Sequence, residues 1–412
     1  MREILDLHIH SPYPRACSPQ LSLANIDKAC RLKGVSIIAT GDFTHPDWFA
    51  SIKQELEETA DGSGLYKLKA ASDDKLKFIL STEVALIYKD GDRCRRIHLV
   101  VHAPNLKAAS EFNRQLDSRF NIRSDGRPIL GISAPDFVKM AIKTDPRFLV
   151  YPAHIWTPWF SVFGSKSGFD SLEECFKEQV GNIYAVETGL SSDPEMNWRL
   201  SALDNLSILS NSDAHGLNNI GREANVMSVE APATYQKIYD SIKNKTGMEF
   251  TVEFYPEEGM YHFDGHRDCG FSCEPKESRK LKNICPKCGK PLIIGVMNRV
   301  EQLADRPFGF KPAGAPGFIK LVELDKIIAA AFRLKNRNSV KVQKEYARMT
   351  DIFGSELKIL SELDIDKAGQ EIDPRVATGI KNVRSGNISL QPGFDGQYGE
   401  INIFASHSKT AG

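Results

Sequence analysis

Two histidines stand two residues apart near the start of the chain, in Asp6-Leu7-His8-Ile9-His10. In a strand, side chains at i and i+2 leave the same face, so the imidazoles of His8 and His10 are able to converge on one point. Such a pair is the start of a metal site, or else two packed or surface histidines. The positions of the other imidazoles and carboxylates favour the metal. Asp42 and His45 follow an apolar run that ends at Thr40, and Glu83 follows Phe78-Ile79-Leu80. His98 and His102 lie in and just past another run, His154 follows Tyr151-Pro152-Ala153, Glu187 follows Ala185-Val186, and Asp213 and His215 follow the run 206–210. Singly, each reads as a strand end, a helix cap or a satisfied core group. In parallel α/β barrels chemistry sits at the C-terminal ends of the strands, and there residues this far apart in sequence meet.

A second cluster has different chemistry. Cys17, Cys30, Cys94 and Cys175 are scattered, but Cys269, Cys273, Cys285 and Cys288 fall close together. In Cys285-Pro286-Lys287-Cys288-Gly289 the glycine lets backbone amides turn towards the sulfurs, as in a zinc knuckle. Four thiolates make a closed tetrahedral site that is structural rather than catalytic. No βα context suits a thioredoxin-like redox pair. His262 and His266 lie close enough to be spare ligands. A module this small has little core, so zinc supplies much of its folding energy.

These groups need elements to position them. Up to about residue 230, short apolar strands alternate with helical segments, the signature of a parallel α/β layer or barrel. The pattern predicts strands at 4–9, 35–40, 77–87, 97–102, 148–153, 185–188 and 206–210, most of them ending in a polar, metal-competent residue. Beyond the cysteines it predicts helices at 295–303, 321–334, 340–349 and 356–363, and a glycine-rich turn before a strand at 391–403. A loop rich in Pro and Gly spans 306–317. Its Phe308 and Phe310, with Phe394, either stack against bases or pack into a core.

The 412 residues suffice for two or three domains, and 41% hydrophobic with 26% charged residues describes a soluble globular chain. Lys+Arg and Asp+Glu both number 53, so net charge selects no partner. Between Lys276 and Glu345, however, sixteen Lys or Arg face six Asp or Glu, a patch suited to a phosphate backbone. No apolar signal region opens the chain and no run approaches the roughly 20 apolar residues that span a bilayer. The expected location is cytoplasmic, on the nucleoid in a prokaryote, with no membrane partner.

His8-Ile9-His10, Thr40-Gly41-Asp42, Glu83, His98, Pro152-Ala153-His154 and Ser212-Asp213-Ala214-His215 resemble the successive motifs of the polymerase-and-histidinol-phosphatase (PHP) superfamily of metal-dependent phosphoesterases. The resemblance implies a distorted (βα)7 barrel holding three metal ions, over residues 1–250; the cysteine spacing and the local charge add a small four-cysteine zinc module over 251–295 and a basic, mainly helical DNA-binding region over 296–412. It implies His8, His10, Asp42, Glu83, His98, His154, Asp213 and His215 as metal ligands, with Asp213 and His215 also catalytic. Two positions depart from the family pattern. Asp42 stands where a histidine is frequent, with His45 as a rival ligand, and the loop after His10 offers only Cys17 where an acid or histidine is common. Mixed imidazole and carboxylate ligands suit Zn2+, with Mg2+ or Mn2+ as alternatives in the barrel. Arg15, Arg93, Arg95, Arg96 and Arg222 are candidate phosphate clamps or plain surface charges.

Thr40-Gly41-Asp42-Phe43-Thr44-His45-Pro46, Glu187-Thr188-Gly189-Leu190-Ser191-Ser192-Asp193-Pro194, the cysteine module and Pro392-Gly393-Phe394-Asp395-Gly396 are together similar to the endonuclease Q family. That similarity runs nearly the full length. It implies a DNA repair endonuclease that cuts 5′ of a deaminated base (uracil, hypoxanthine, xanthine) or an abasic site, with the nucleotide flipped out. Glu187, Ser191, Ser192 and Asn197 are the expected substrate-binding residues. DNA carrying these lesions is the expected partner, and a sliding clamp a further one, although no C-terminal docking motif is evident. Two other classes stay open: a small-molecule phosphomonoesterase, and a non-catalytic zinc-stabilised DNA-binding protein.

Overall fold

A computed structural model describes residues 1–404. Its organising strand, Arg2–Asp6, lies inside an eight-stranded mixed sheet. The order is Gly317–Lys320, Met248–Glu253, Ala224–Ser228, Arg2–Asp6, Ile37–Ala39, Lys77–Ile79, Leu65–Leu68, Leu56–Glu58. Leu5, Leu7 and Ile9 are buried in the main core, which fixes the register, because a slip of one residue would turn that apolar row outwards. A four-stranded sheet follows in the order Ile129–Leu130, Ser81–Asp90, Arg93–His102, Leu149–Pro152, and Ala185–Glu187 pairs in parallel with Ser207–Leu209.

The sheets form a ring. Lys77–Ile79 passes through Leu80 into Ser81–Asp90. The Ile155 N–H donates to Glu187 O at 3.2 Å. A bridge between Ile9 and Ala214, with the His10 N–H donating to Ala214 O at 3.0 Å, joins the last strand of the ring to the first.

The seven expected strands are present to within a few residues, with two differences. The run 77–87 is broken because the Ser81 N–H turns to Thr40 Oγ1 at 3.0 Å. The ring is mixed rather than parallel: Ser81–Asp90 with Arg93–His102, and Arg2–Asp6 with Ala224–Ser228, are antiparallel. Strands at Leu56–Glu58, Leu65–Leu68, Ile129–Leu130, Ala224–Ser228 and Met248–Glu253 lay outside the sequence expectation.

Gly317–Lys320 pairs in parallel with Met248–Glu253, so the sheet crosses both expected domain boundaries and the cysteine module sits between two of its strands. The helical region follows as Leu324–Ala331, Val340–Phe353, Glu356–Ser361, Ile365–Ala368 and Pro374–Ser385. Its last expected residues, 405–412, lie outside the described ones. Part of its positive excess is spent internally. Lys326 Nζ lies 3.1 Å from Glu258 and 3.0 Å from Glu323, and Arg337 contacts Glu323 at 3.1 Å and Asp325 at 2.7 Å. Lys280, Lys282, Lys287, Lys290, Arg333, Lys335 and Lys341 remain exposed. Phe308 is exposed, Phe310 lies under Arg306, and Phe394 packs on Gly265 of the module. Among the described residues no helix is long and apolar enough to cross a membrane.

Candidate metal centre

The ring gathers the strand-end residues at one mouth. One group comprises His8, His10, Glu83 and Asp213, and a second Glu83, His98 and His154, each with donor atoms within 4.8 Å of one another. Glu83 belongs to both, and its oxygens divide between them. Oε2 lies 3.7 Å from His8 Nε2 and 3.4 Å from His10 Nε2, whereas Oε1 lies 2.8 Å from His98 Nδ1 and 3.2 Å from His154 Nε2. Asp213 Oδ1 approaches His10 Nε2 at 3.1 Å. His8 Nε2, His10 Nε2 and Asp213 Oδ1 are buried without a hydrogen-bond partner among the described residues. Converging, buried, unpartnered donor atoms are costly unless a cation satisfies them, so these residues fit a metal.

The backbone is bent to build the mouth. Asp42, His154 and Asp213 all take positive φ, at 45°, 30° and 46°. Strain of this kind persists where surrounding structure over-determines it. Gly189, at φ 59°, passes so close to His154 that a Cβ there would collide with the His154 backbone and Cβ.

Electrostatics sorts the imidazoles. Burial pushes His98 down to about 4 despite Glu83 beside it, which leaves the neutral form whose lone pair a cation needs. Burial, with His8 nearby, takes His102 down to about 3. Burial opposes charge on His8, but Glu187, Glu83 and Asp213 outweigh it and raise it well above its ordinary value. Burial likewise opposes charge on Glu83, yet His98, Arg127 and His8 hold its carboxyl well below the usual range.

Several expected residues take other places. Asp42 is not in either donor group: its Oδ1 lies 3.0 Å from His10 Nδ1 and its Oδ2 accepts the Ser11 N–H at 2.6 Å, so it orients His10. Glu187 holds His8 in the same way. Its Oε1 lies 3.0 Å from His8 Nδ1 and accepts from Asn211 Nδ2 at 2.8 Å, and its Oε2 accepts the His154 N–H at 2.9 Å. Fully buried and so engaged, Glu187 has nothing left for a substrate. Carboxylate partners on the remote ring nitrogen are what metal-ligating histidines commonly have.

Ser192 and Asn197 are also consumed by the fold. Asn197 Nδ2 donates to Ser192 Oγ at 3.1 Å and to Asp193 O at 2.8 Å, its Oδ1 accepts the Trp156 indole N–H at 2.8 Å, and Ser192 Oγ donates to Thr188 O at 3.0 Å. The Ser191 hydroxyl points to Thr188 O at 3.5 Å and its N–H donates to Gly189 O at 2.7 Å. These three shape the loop after Ala185–Glu187, and their side-chain donors are turned to it. His215 stands beside the first group, its ring 4.5 Å from that of His10, with Nδ1 2.8 Å from the Asp213 carbonyl that accepts its proton. His45 stands at the N-cap position of helix Pro46–Glu55 without a side-chain capping bond and stacks on Tyr13 at 4.0 Å, outside both groups.

Sequence reasoning missed Arg127, whose Nη1 lies 2.9 Å from Glu83 Oε2. Its signal is an Arg-Pro just before the short strand Ile129–Leu130, which runs parallel to the strand of Glu83.

In the cysteine module the converging donors are His266, Cys269, Cys285 and Cys288. Cys273, expected as the fourth ligand, is replaced by His266. In the hairpin Asp264–His266/Phe271–Cys273, the turn Arg267–Cys269 brings His266 and Cys269 to the knuckle, while Cys273 pairs across with Asp264 and packs with Leu292. Burial and the neighbouring Asp264 push the Cys273 thiol up to about 11, as suits an apolar filler.

A family model for the MJ0043 C-terminal domain matches residues 323–387. The uncharacterised protein MJ0043 of Methanocaldococcus jannaschii is 32% identical over 253 residues, which are 60% of this chain and only 31% of that protein's length. Among solved structures, the lesion-specific endonuclease PfuEndoQ of Pyrococcus furiosus superposes with a TM-score of 0.85 at 30% identity, covering 99% of this chain and 98% of that one. An Endonuclease Q complex with a 27-mer duplex substrate, carrying an abasic lesion at the active site, superposes with a TM-score of 0.85 at 30% identity over 100% of both chains.

Proposed function

The chain belongs to the endonuclease Q family, and from that premise we propose that it is a metal-dependent DNA repair endonuclease that hydrolyses the phosphodiester 5′ of a deaminated base or an abasic site. The observation that carries the proposal is the division of the Glu83 carboxylate between two buried donor groups. A bridging carboxylate with imidazoles on both sides is the arrangement of a two-cation phosphoesterase. His8, His10, Glu83 and Asp213 would hold one ion, and Glu83, His98 and His154 the other, within a PHP-type barrel. Among the described residues no third group of converging donors accompanies these two, and the loop after His10 supplies only Cys17, whose thiol burial pushes up to about 12. The imidazole-rich set favours Zn2+ or Mn2+ over Mg2+.

Bound divalent ions supply a nucleophile at neutral pH and neutralise charge on the attacking and leaving oxygens. The chain's own residues do the positioning. Asp42 and Glu187 fix the His10 and His8 rings, so that both Nε2 atoms face the mouth. Burial lowers the His215 pKa, and with Nδ1–H given to the Asp213 carbonyl its Nε2 is left to accept a proton from the attacking water. The damaged nucleotide must leave the stack to reach this mouth, which costs least where pairing is already weak. In the module, His266, Cys269, Cys285 and Cys288 would hold a structural zinc.

The test is an end-labelled duplex with one deoxyuridine or deoxyinosine, incubated with the protein and a divalent metal. A cut 5′ of the lesion that disappears in His8→Ala is expected. Turnover of a phosphomonoester with the duplex left whole would make the protein a phosphatase, and binding without any cut would make it a scaffold.

A further inference from the structure

Arg127 is placed by its neighbours rather than by a flexible loop. Its N–H donates to Asp125 Oδ1 at 3.0 Å, and Pro128 O accepts the Ala85 N–H at 3.0 Å. The next residues, Ile129 and Leu130, pair in parallel with Ala85 and Leu86, two and three positions past Glu83. The side chain is therefore carried to the edge of the Glu83 carboxylate, where Nη1 meets Oε2 at 2.9 Å. Oε2 is the oxygen that faces His8 and His10. The side chain keeps 25% of its surface exposed, and among the described residues its Nε and Nη2 make no hydrogen bond. After Glu83, the negative charges that act on it most are those of Asp213 and Asp42, both at the same mouth.

Two of the arginines expected as clamps have other contacts. Arg95 lies over Phe169 at 3.9 Å, and Arg222 donates to Ser212 O at 3.0 Å beside Phe254.

We infer that Arg127 grips a non-bridging oxygen of the scissile phosphodiester, as a substrate-binding residue of the metal centre. The inference rests on the endonuclease reading above. A planar fork with two free donors matches phosphate geometry, and its charge meets the negative charge that hydrolysis must approach. Its contact with Glu83 fixes the fork against the same carboxylate that divides the two donor groups, so substrate and metal ligands share one reference point.

The test compares two lesion duplexes that differ only at the scissile linkage, one with the natural phosphate and one with a neutral methylphosphonate. Binding to the full chain with its metals is followed by stopped-flow anisotropy, in the phase before cleavage. The parent should bind the neutral duplex about ten- to a hundredfold more weakly, the scale of a hydrogen bond to a charged group. Arg127→Ala should narrow that ratio, leaving only the part that the cations contribute. Arg127→Lys, which keeps the charge without the fork, should fall between. Millimolar guanidinium should partly restore single-turnover cleavage to Arg127→Ala alone.

If Arg127 served only to steady Glu83, Arg127→Ala would lose metal or melting temperature yet keep the parent's ratio between the duplexes, and the clamp would be overturned. A parent that leaves the lesion duplex whole overturns the endonuclease reading, and the clamp with it. A parent that cuts, with an unchanged ratio in Arg127→Ala, overturns the clamp alone.

Discussion

Asp42 Oδ1 lies 3.0 Å from His10 Nδ1, on the side of the ring away from the converging donor atoms. The carboxylate is therefore placed to set the tautomer and orientation of a candidate ligand. Asp42→Asn should lower metal affinity by about 10–100-fold while leaving a centre that excess metal refills. A titration of cleavage rate against metal concentration checks this. Loss of activity that no metal concentration restores would return Asp42 to the ligand set.

Gly189 offers a separate handle on the second donor group. With φ at 59° and no room for a Cβ beside His154, Gly189→Ala must push the His154 backbone aside. Bound metal measured on the purified variant should fall by one ion per chain, with the cysteine module still loaded. An unchanged metal content would show that the loop yields without moving His154.

The module gives a prediction of identity. Cys285→Ala and His266→Ala should each lose the module's zinc and lower the melting temperature by several degrees, because the metal supplies folding energy there. Cys273→Ala should keep the zinc and cost only about 1–2 kcal/mol for the lost packing. Elemental analysis of the three variants separates a site of one histidine and three cysteines from a site of four cysteines.

Stability should respond to pH through a buried acid away from the metals. Burial takes Glu253 up to about 8 from an ordinary 4.5, and burial with the Glu253 charge raises Glu223 as well. A folded-state pKa above the unfolded one means that the native chain keeps a proton the unfolded chain gives up. Stability then falls as pH rises from about 4.5 towards 8, by up to about 1.4 kcal/mol per pH unit for each such group. Urea melts across this range should show that slope, and Glu253→Gln should flatten it. An equal slope in both proteins would place the proton elsewhere.

The sequence made His8, His10, Glu83, His98, His154 and Asp213 legible because each ends or follows an apolar run, and strand ends in such folds share a face. It did not separate the converging donors from the carboxylates behind them. Asp42 and Glu187 carry the same chemical groups at the same strand ends as the ligands do, and only the geometry tells which side of an imidazole each one meets. Cys273 misled for a related reason, since spacing counts residues along a hairpin and not the turn that decides which of them reach the knuckle. Ser192 and Asn197 carry side-chain donors of the expected kind, but the loop itself uses them. Arg127 stayed hidden because the strand that carries it into register with Glu83 is too short to leave a pattern. The mixed ring escaped because antiparallel partners such as Ala224–Ser228 read no differently from parallel ones.

The pairing of Gly317–Lys320 with Met248–Glu253 makes the cysteine module a parenthesis inside a sheet rather than an appendage. To form that edge, the chain from Phe254 to Pro316 must return on itself, and closing so long an excursion is an entropic barrier on the way to the native state. A metal that clasps the middle of the excursion shortens it before the edge strand arrives. Zinc would thus set the pace at which the sheet is completed, and a chain made without it would present an unpaired Met248–Glu253 edge to its neighbours, the template from which aggregation starts.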